Sequence, residues 1–359
     1  MVEQQTQKRI NKQGVTYHDE EKACPGYVVF SPSGGNRTLL IDLHGNIVHI
    51  WDLEYKPGLY GYMLPNGNLF YNGKTEHTKP ENYMSWGTAF KGGIIQEITP
   101  EGETIWEHID PYHHHDGRKT SSDGAIYLAL EPVPKETASK VKGGVPGSDE
   151  NGMWSDKIVK VDSGGEVVWE WHAYQHLNPE KDSLLHNMKR VEWTHGNSVA
   201  PVGDDKVLVS FRNISTVALI DKNSDEIVWR LGYDVLAQQH DPSLLDNGNV
   251  LVFDNGLCRR VEGWAYSRVV EVNPSGEVVW EYKDSPASNF FSCHISGARR
   301  LVNGNTLIVE GSKGRLFQVT PECEVVWEYI NPYFHEISSG LANNVFKANH
   351  YQKQEIPFL

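Results

Sequence analysis

Glu277-Val-Val-Trp280 recurs as Glu324-Val-Val-Trp327 and Glu166-Val-Val-Trp169, and in looser form as Glu226-Ile-Val-Trp229, Glu103-Thr-Ile-Trp106 and Ile47-Val-His-Ile-Trp51. The six tryptophans are spaced by 55, 63, 60, 51 and 47 residues. A period of that size marks an array of supersecondary units. Most copies are preceded by a short apolar run and a turn, as in Ile94-Ile-Gln-Glu-Ile98 with Thr99-Pro-Glu-Gly102, or Val269-Val-Glu-Val272 with Asn273-Pro-Ser-Gly276. Proline at the second turn position and glycine at the last favour a tight turn between antiparallel strands.

A second element recurs with the same period. It reads Leu64-Pro-Asn-Gly-Asn-Leu-Phe70, Ser122-Asp-Gly-Ala-Ile-Tyr127, Gly203-Asp-Asp-Lys-Val-Leu208, Asp246-Asn-Gly-Asn-Val-Leu251 and Val302-Asn-Gly-Asn-Thr-Leu307. Asn-Gly and Asp-Gly between apolar runs predict two-residue hairpin turns, so each repeat supplies four strands. Six such repeats predict an all-β fold, a six-bladed β-propeller with four antiparallel strands per blade. Five blades are continuous in sequence. The last is closed by N- and C-terminal strands, Tyr27-Val-Val-Phe30, Thr38-Leu-Leu-Ile-Asp42 and Ile47 to Trp51 joined by Asn344-Val-Phe-Lys-Ala-Asn-His350. This gives one propeller domain over 27–359 and an N-terminal extension over 1–26. Inserts at 131–156 and 172–193, rich in proline, glycine and charge, are expected to border a binding site. The six tryptophans are expected to pack blade on blade.

Composition narrows the function. Of 359 residues, 33 are Lys or Arg and 47 Asp or Glu, a net charge of −14, which argues against a nucleic-acid partner. No apolar run reaches the roughly 18 residues of a membrane span. Met1 to Lys12 is polar, with no signal-peptide core, so a cytoplasmic protein is expected. Cys24, Cys258, Cys293 and Cys323 include no C-x-x-C pair and are expected to be free thiols. Phosphate-binding glycine loops and a Gly-x-Ser-x-Gly elbow are absent from the sequence, so nucleotide binding and serine hydrolysis have no support. Nothing in the pattern specifies an oligomeric state.

The 16 histidines are informative by position. Upstream of the Asn-Gly element lie His114-His115-Asp116, Thr194-His195-Gly196-Asn197, Gln239-His240-Asp241 and Cys293-His294-Ile295, where the first blade has Leu59-Tyr60-Gly61. That offset places one histidine per blade at the start of the strand leading into the turn. If this strand is innermost, His115, His195, His240 and His294 meet near the axis on one face. Arg212, which follows the apolar run Val207 to Phe211, and Arg259-Arg260, which follow Asp254-Asn255-Gly256, offer planar forks suited to sulfate, phosphate or carboxylate. Tyr60, Tyr62, Trp86, Trp154 and Trp264 are expected in loops, as an aromatic mouth for a ring substrate.

Glu192-Trp-Thr-His-Gly-Asn-Ser198, Phe211-Arg-Asn-Ile-Ser215, Gln239-His-Asp241, Phe253-Asp-Asn-Gly256 and Ser267-Arg268, in this order, resemble the arylsulfotransferase family of propeller enzymes, over about Tyr27 to Tyr351. The resemblance implies sulfuryl transfer between phenolic compounds, with no nucleotide donor and no cofactor, through a sulfated histidine. It also implies that His195, His240, His294 and either Arg259 or Arg260 form the catalytic set, His294 being the nucleophile. His115, Asn197, Arg212, Arg260 and Tyr60 are then expected to bind a small aromatic substrate. Unlike well-known members, the chain is expected to have no signal, no cysteine pairing and no extra N-terminal domain. Two other readings stand beside this one. His115, His195, His240 and His294 would suit a divalent or iron-type metal, for lyase, hydrolase or oxygenase chemistry, or the ring is a non-catalytic binding propeller. The arginines with Asn197 favour an anion site.

Overall fold

The computed structural model describes residues 12–75, 91–259, 264–337 and 340–359. Each repeat forms one four-stranded antiparallel sheet in chain order, and the six sheets form a ring. Blade 1 begins with the strand Lys56–Met63, blade 2 with His113–Lys119, blade 3 with Gly196–Val202, blade 4 with His240–Leu244 and blade 5 with Gly297–Arg300. Blade 6 is assembled from both ends, Val345–Tyr351 pairing with Tyr27–Pro32 from Tyr27↔Tyr351 to Pro32↔Val345. These six first strands touch one another in ring order and line the axis. Within the N-terminal extension, Gly14–His18 pairs with Val325–Ile330 as a fifth, outermost strand of blade 5.

The tryptophan repeat has a physical meaning. Each indole N–H donates across the seam to the outer hairpin turn of the next blade. Trp51 bonds Thr99 O at 3.1 Å, Trp106 bonds Ser163 O at 2.9 Å and Trp169 bonds Asp225 Oδ1 at 2.9 Å. Trp229 bonds Pro274 O at 3.0 Å, Trp280 bonds Pro321 O at 2.7 Å and Trp327 bonds Leu43 O at 2.8 Å. Six bonds therefore run once round the ring.

The Asn-Gly turns differ from the expected two-residue type. Leu64 and Asn68 close a three-residue loop, with Gly67 N–H on Leu64 O and Gly67 at φ 86°. Gly248 and Gly304 repeat it at φ 83° and 90°. Asn66, Asn247 and Asn303 accept the backbone N–H two residues ahead, at 3.0 to 3.1 Å. This Asx bond keeps asparagine in a right-handed turn and leaves the left-handed position to glycine.

A polar cluster occupies the hub. Lys347 of the closing strand is fully buried and places Nζ 2.9 Å from Asp116 Oδ2 of blade 2, 3.1 Å from Asp241 Oδ1 of blade 4 and 3.2 Å from Ser198 Oγ of blade 3. Arg299 of blade 5 grips Asp241 in bidentate fashion, Nη1 at 2.5 Å and Nη2 at 2.8 Å. Tyr60 of blade 1 donates its hydroxyl to Asp116 Oδ1 at 2.9 Å. All six blades thus contribute. Burial works against the charge on both aspartates, yet Arg118 and Lys347 hold Asp116, and Arg299 and Lys347 hold Asp241, below the ordinary carboxylate range.

Trp327 is wholly buried, whereas Trp229 is half-buried. Trp327→Ala is expected to destabilise the fold by about 3–5 kcal/mol. Trp229→Phe, which removes one bond from a partly exposed ring, should lose only about 1 kcal/mol. Denaturant titration of the two variants separates them, and equal losses would contradict the account.

Candidate functional site

The histidines owe their positions to irregular strand starts. In blades 2, 3 and 4 the register between first and second strands slips near the top. His115, His195 and Asp241 there adopt left-handed backbone, at φ 52°, 53° and 54°. In blade 5, Ile295 and Ser296 do the same at φ 51° and 89°. Such bulges turn side chains out of the sheet pattern, and residues other than glycine hold this conformation at a cost of order 1–3 kcal/mol.

Imidazoles of separate blades meet there. The His115 and His195 rings are edge to face, 4.8 Å between centroids. Phe346 of blade 6 lies 6.3 Å from His115 and 6.2 Å from His240. His294 is the solvent-open member, its Nδ1 3.2 Å from Cys293 Sγ. Arg212, at the end of the second strand of blade 3, takes its place through backbone pairing, its N–H donating to His195 O at 3.1 Å. Its guanidinium reaches Cys293 O at 3.4 Å and Met188 Sδ at 3.4 Å, and forms no ion pair among the described residues. Met188 lies on Leu184–Lys189 within the 172–193 insert, which therefore borders the site.

Three of these imidazoles are held neutral. Burial lowers His115, aided by His195 and His114, while burial and then Arg212 lower both His195 and His240. His294 is lowered by the protein crowded round it and by Arg212. A set of residues behind them, given no role by the sequence reading, fixes their orientation. Asn255 donates to Ser292 O at 2.8 Å and Ile295 O at 3.0 Å, so its Oδ1 must accept the bond from His240 Nδ1 at 2.7 Å. The His240 lone pair is then on Nε2. His195 Nδ1 lies 2.6 Å from Glu192 Oε2. Burial, with Asp156 nearby, raises Glu192 well above its ordinary value, and burial lowers His195, so both shifts favour the uncharged form of the pair. In that form the Glu192 proton faces Nδ1, and His195 carries its own on Nε2. His114 links His115, Nδ1 to Nδ1 at 2.7 Å, to Asp156 at 3.0 Å. Glu192 and Asn255 stand within motifs that the sequence reading quotes. Their spacing from the histidines, three and fifteen residues, is the signal available.

Other expected residues lie elsewhere. Arg259 is turned to Asp254, Nη2 to Oδ2 at 2.7 Å, and stacks on Tyr266, whereas Arg212 acts electrostatically on His195, His240 and His294. Asn197 is wholly buried and donates to Gln239 O at 2.8 Å, tying blade 3 to blade 4, and Tyr60 is equally buried at the hub. Tyr60, Tyr62 and Trp154 lie in strands Lys56–Met63 and Trp154–Val161 instead of loops, because the register that places an Asn-Gly turn after Met63 makes the preceding residues a strand. Trp264 is 84% exposed. Arg260 and Trp86 lie outside the described residues. The four cysteines are free thiols. Among the described residues, the donor set compact enough for a shared metal ion is not the axial one.

Comparison with known proteins gives the following. The family model for Arylsulfotransferase (ASST) matches residues 86–332. No curated protein matches the chain. Among solved structures, a protein of unknown function from Bacteroides caccae superposes with a TM-score of 0.56 at 14% identity, over 92% of this chain and 100% of that one. A streptogramin B lyase gives 0.48 at 11%, over 94% and 93%. A virginiamycin B lyase from Staphylococcus aureus gives 0.43 at 12%, over 90% and 92%. At such identities these likenesses bear on the fold alone.

The neutral histidines set a pH dependence. An unfolded histidine takes up its proton near pH 6.5, whereas His115, His195 and His240 resist it to much lower pH and His113 is pushed down to about 3. The unfolded state therefore binds more protons below pH 6.5, and stability falls as pH drops from there. The melting temperature is expected to decline between about pH 6.5 and 4.5, and less steeply in His240→Gln. Identical slopes for the two proteins would refute this.

Proposed function

Because the chain belongs to the arylsulfotransferase family, we propose that it moves a sulfuryl group from a phenolic sulfate ester to another phenol through a histidine at the axial mouth. The observation that carries the reading is Arg212, a guanidinium that forms no ion pair among the described residues, beside neutral His195, His240 and His294. That arrangement suits a monoanionic sulfate ester. Glu192, the carboxyl that acts on Arg212 electrostatically, is pushed towards its protonated form by burial, which favours a locally positive mouth although the chain as a whole carries −14.

The roles follow from access and protonation. His294 is open to solvent, so a bulky ester reaches it, and its neutral form is nucleophilic. Its nitrogen lone pair forms a bond to sulfur as the sulfur–oxygen bond to the phenol breaks. Arg212 balances charge on the sulfuryl oxygens. The departing phenoxide takes the Nε2 proton of His195 while Glu192 passes its own proton to Nδ1. In the second half the acceptor phenol returns a proton along the same path and takes the sulfuryl group as the nitrogen–sulfur bond breaks. Donor ester and acceptor phenol exchange the group with no net proton. Met188, soft and next to Arg212, would flank the ring of either.

Incubation with isotopically labelled nitrophenyl sulfate is expected to label the peptide containing His294 and to sulfate an added phenol, both lost in His294→Asn. Glu192→Gln should slow transfer from unactivated phenyl sulfate about 10²–10⁴-fold while sparing nitrophenyl sulfate, whose leaving group needs no proton. Absence of label on native protein, or an equal effect on both esters, would overturn the corresponding assignment.

A further inference from the structure

Away from the axial mouth, the seam between blades 5 and 6 holds a second cluster of ionisable groups. His18 ends the added outer strand Gly14–His18, opposite Trp327 in the register. Glu20 lies in the turn that follows. His44 occupies the outer hairpin turn of blade 6, its backbone N–H held by Asp42 Oδ1 at 2.9 Å. One donor atom from each of the three comes within 4.8 Å of the others. The two imidazoles are edge to face at 5.3 Å between centroids. They line a cleft of about 470 Å³ with Tyr27, Asp42, Leu43 and Gln352. None of the three side chains forms an ion pair among the described residues.

We infer that His18, Glu20 and His44 form a binding site for a borderline divalent cation of the zinc type, separate from the axial mouth. Two imidazoles and one carboxylate from separate segments are the donor set such ions take, with the fourth position open to water in the cleft. Donors roughly 2.0–2.2 Å from a tetrahedral ion are ~3.4 Å apart. Atoms up to 4.8 Å apart must therefore close by up to about 1.4 Å, which partly exposed side chains on rotatable bonds achieve by rotamer change. Asp42 is committed to the backbone of His44 and Asn46, so it orients His44 and stays outside the donor set. The consequence is mechanical. The ion would tie the N-terminal strand to the hairpin carrying Leu43, whose carbonyl accepts the Trp327 indole, and so staple the seam between blades 5 and 6.

The test uses the full chain purified without a histidine tag, stripped with chelator and titrated with Zn²⁺ by calorimetry, with amide hydrogen exchange read in parallel. One equivalent is expected, with exchange slowed over Gly14–His18. Affinity should fall at least tenfold in His44→Ala and in Glu20→Gln, and should persist in His240→Ala. Failure to take up zinc, uptake unchanged in His44→Ala, or uptake abolished by His240→Ala would each overturn the proposal. Because sulfuryl transfer is assayed separately at His294, loss of zinc binding and loss of that activity are distinguishable.

Discussion

The ammonium of Lys347 is removed from water on the strand that closes the ring, and it meets carboxylates from two other blades, Asp116 and Asp241. A buried charge is tolerable only where partners replace its hydration, and removing one partner of such a cluster typically destabilises by about 3–5 kcal/mol. The first strands of blades 2, 4 and 6 are therefore pinned to one point, and Arg299 brings in blade 5. His115 immediately precedes Asp116, and His240 immediately precedes Asp241. The ion cluster that fixes the hub thus also fixes the height at which those imidazoles stand above it. The candidate chemistry is held by charge at the axis as much as by packing between blades.

That packing is why the architecture was legible from sequence. Each blade meets its neighbour by the same device, an indole bonded to the next outer turn, so the same Trp recurs six times with the same apolar residues before it. The blade shared between the termini was legible for a related reason: three strands at one end lacked a partner that the other end supplied. The site was less so. The offset to the turns pointed to histidines at strand starts, but it did not distinguish among the arginines. Arg212 and Arg259 both follow the second strand of their blades, and only the tertiary structure shows Asp254 holding one while the other forms no ion pair among the described residues. Burial likewise decides that Asn197 and Tyr60 are framework, since a polar residue near a motif reads the same whether it faces solvent or a neighbouring blade.

Protonation was the least legible layer. A carboxylate three residues from a histidine suggests an ion pair. Here full burial together with the nearby charge of Asp156 favours a neutral carboxyl and a neutral ring. The same low-dielectric pocket that lowers His195 and His240 holds Arg212, which among the described residues forms no ion pair, so the proposed anion site is compatible with an acidic chain.

The shared blade has a kinetic corollary. Tyr27–Pro32 leaves the ribosome long before Val345–Tyr351, and its inner edge has no mate until that strand is made. Through most of translation the nascent chain is an open arc with exposed sheet margins. Deleting Val345–Tyr351 would leave that arc permanently unsealed, a far heavier lesion than the loss of the same number of residues from a surface loop.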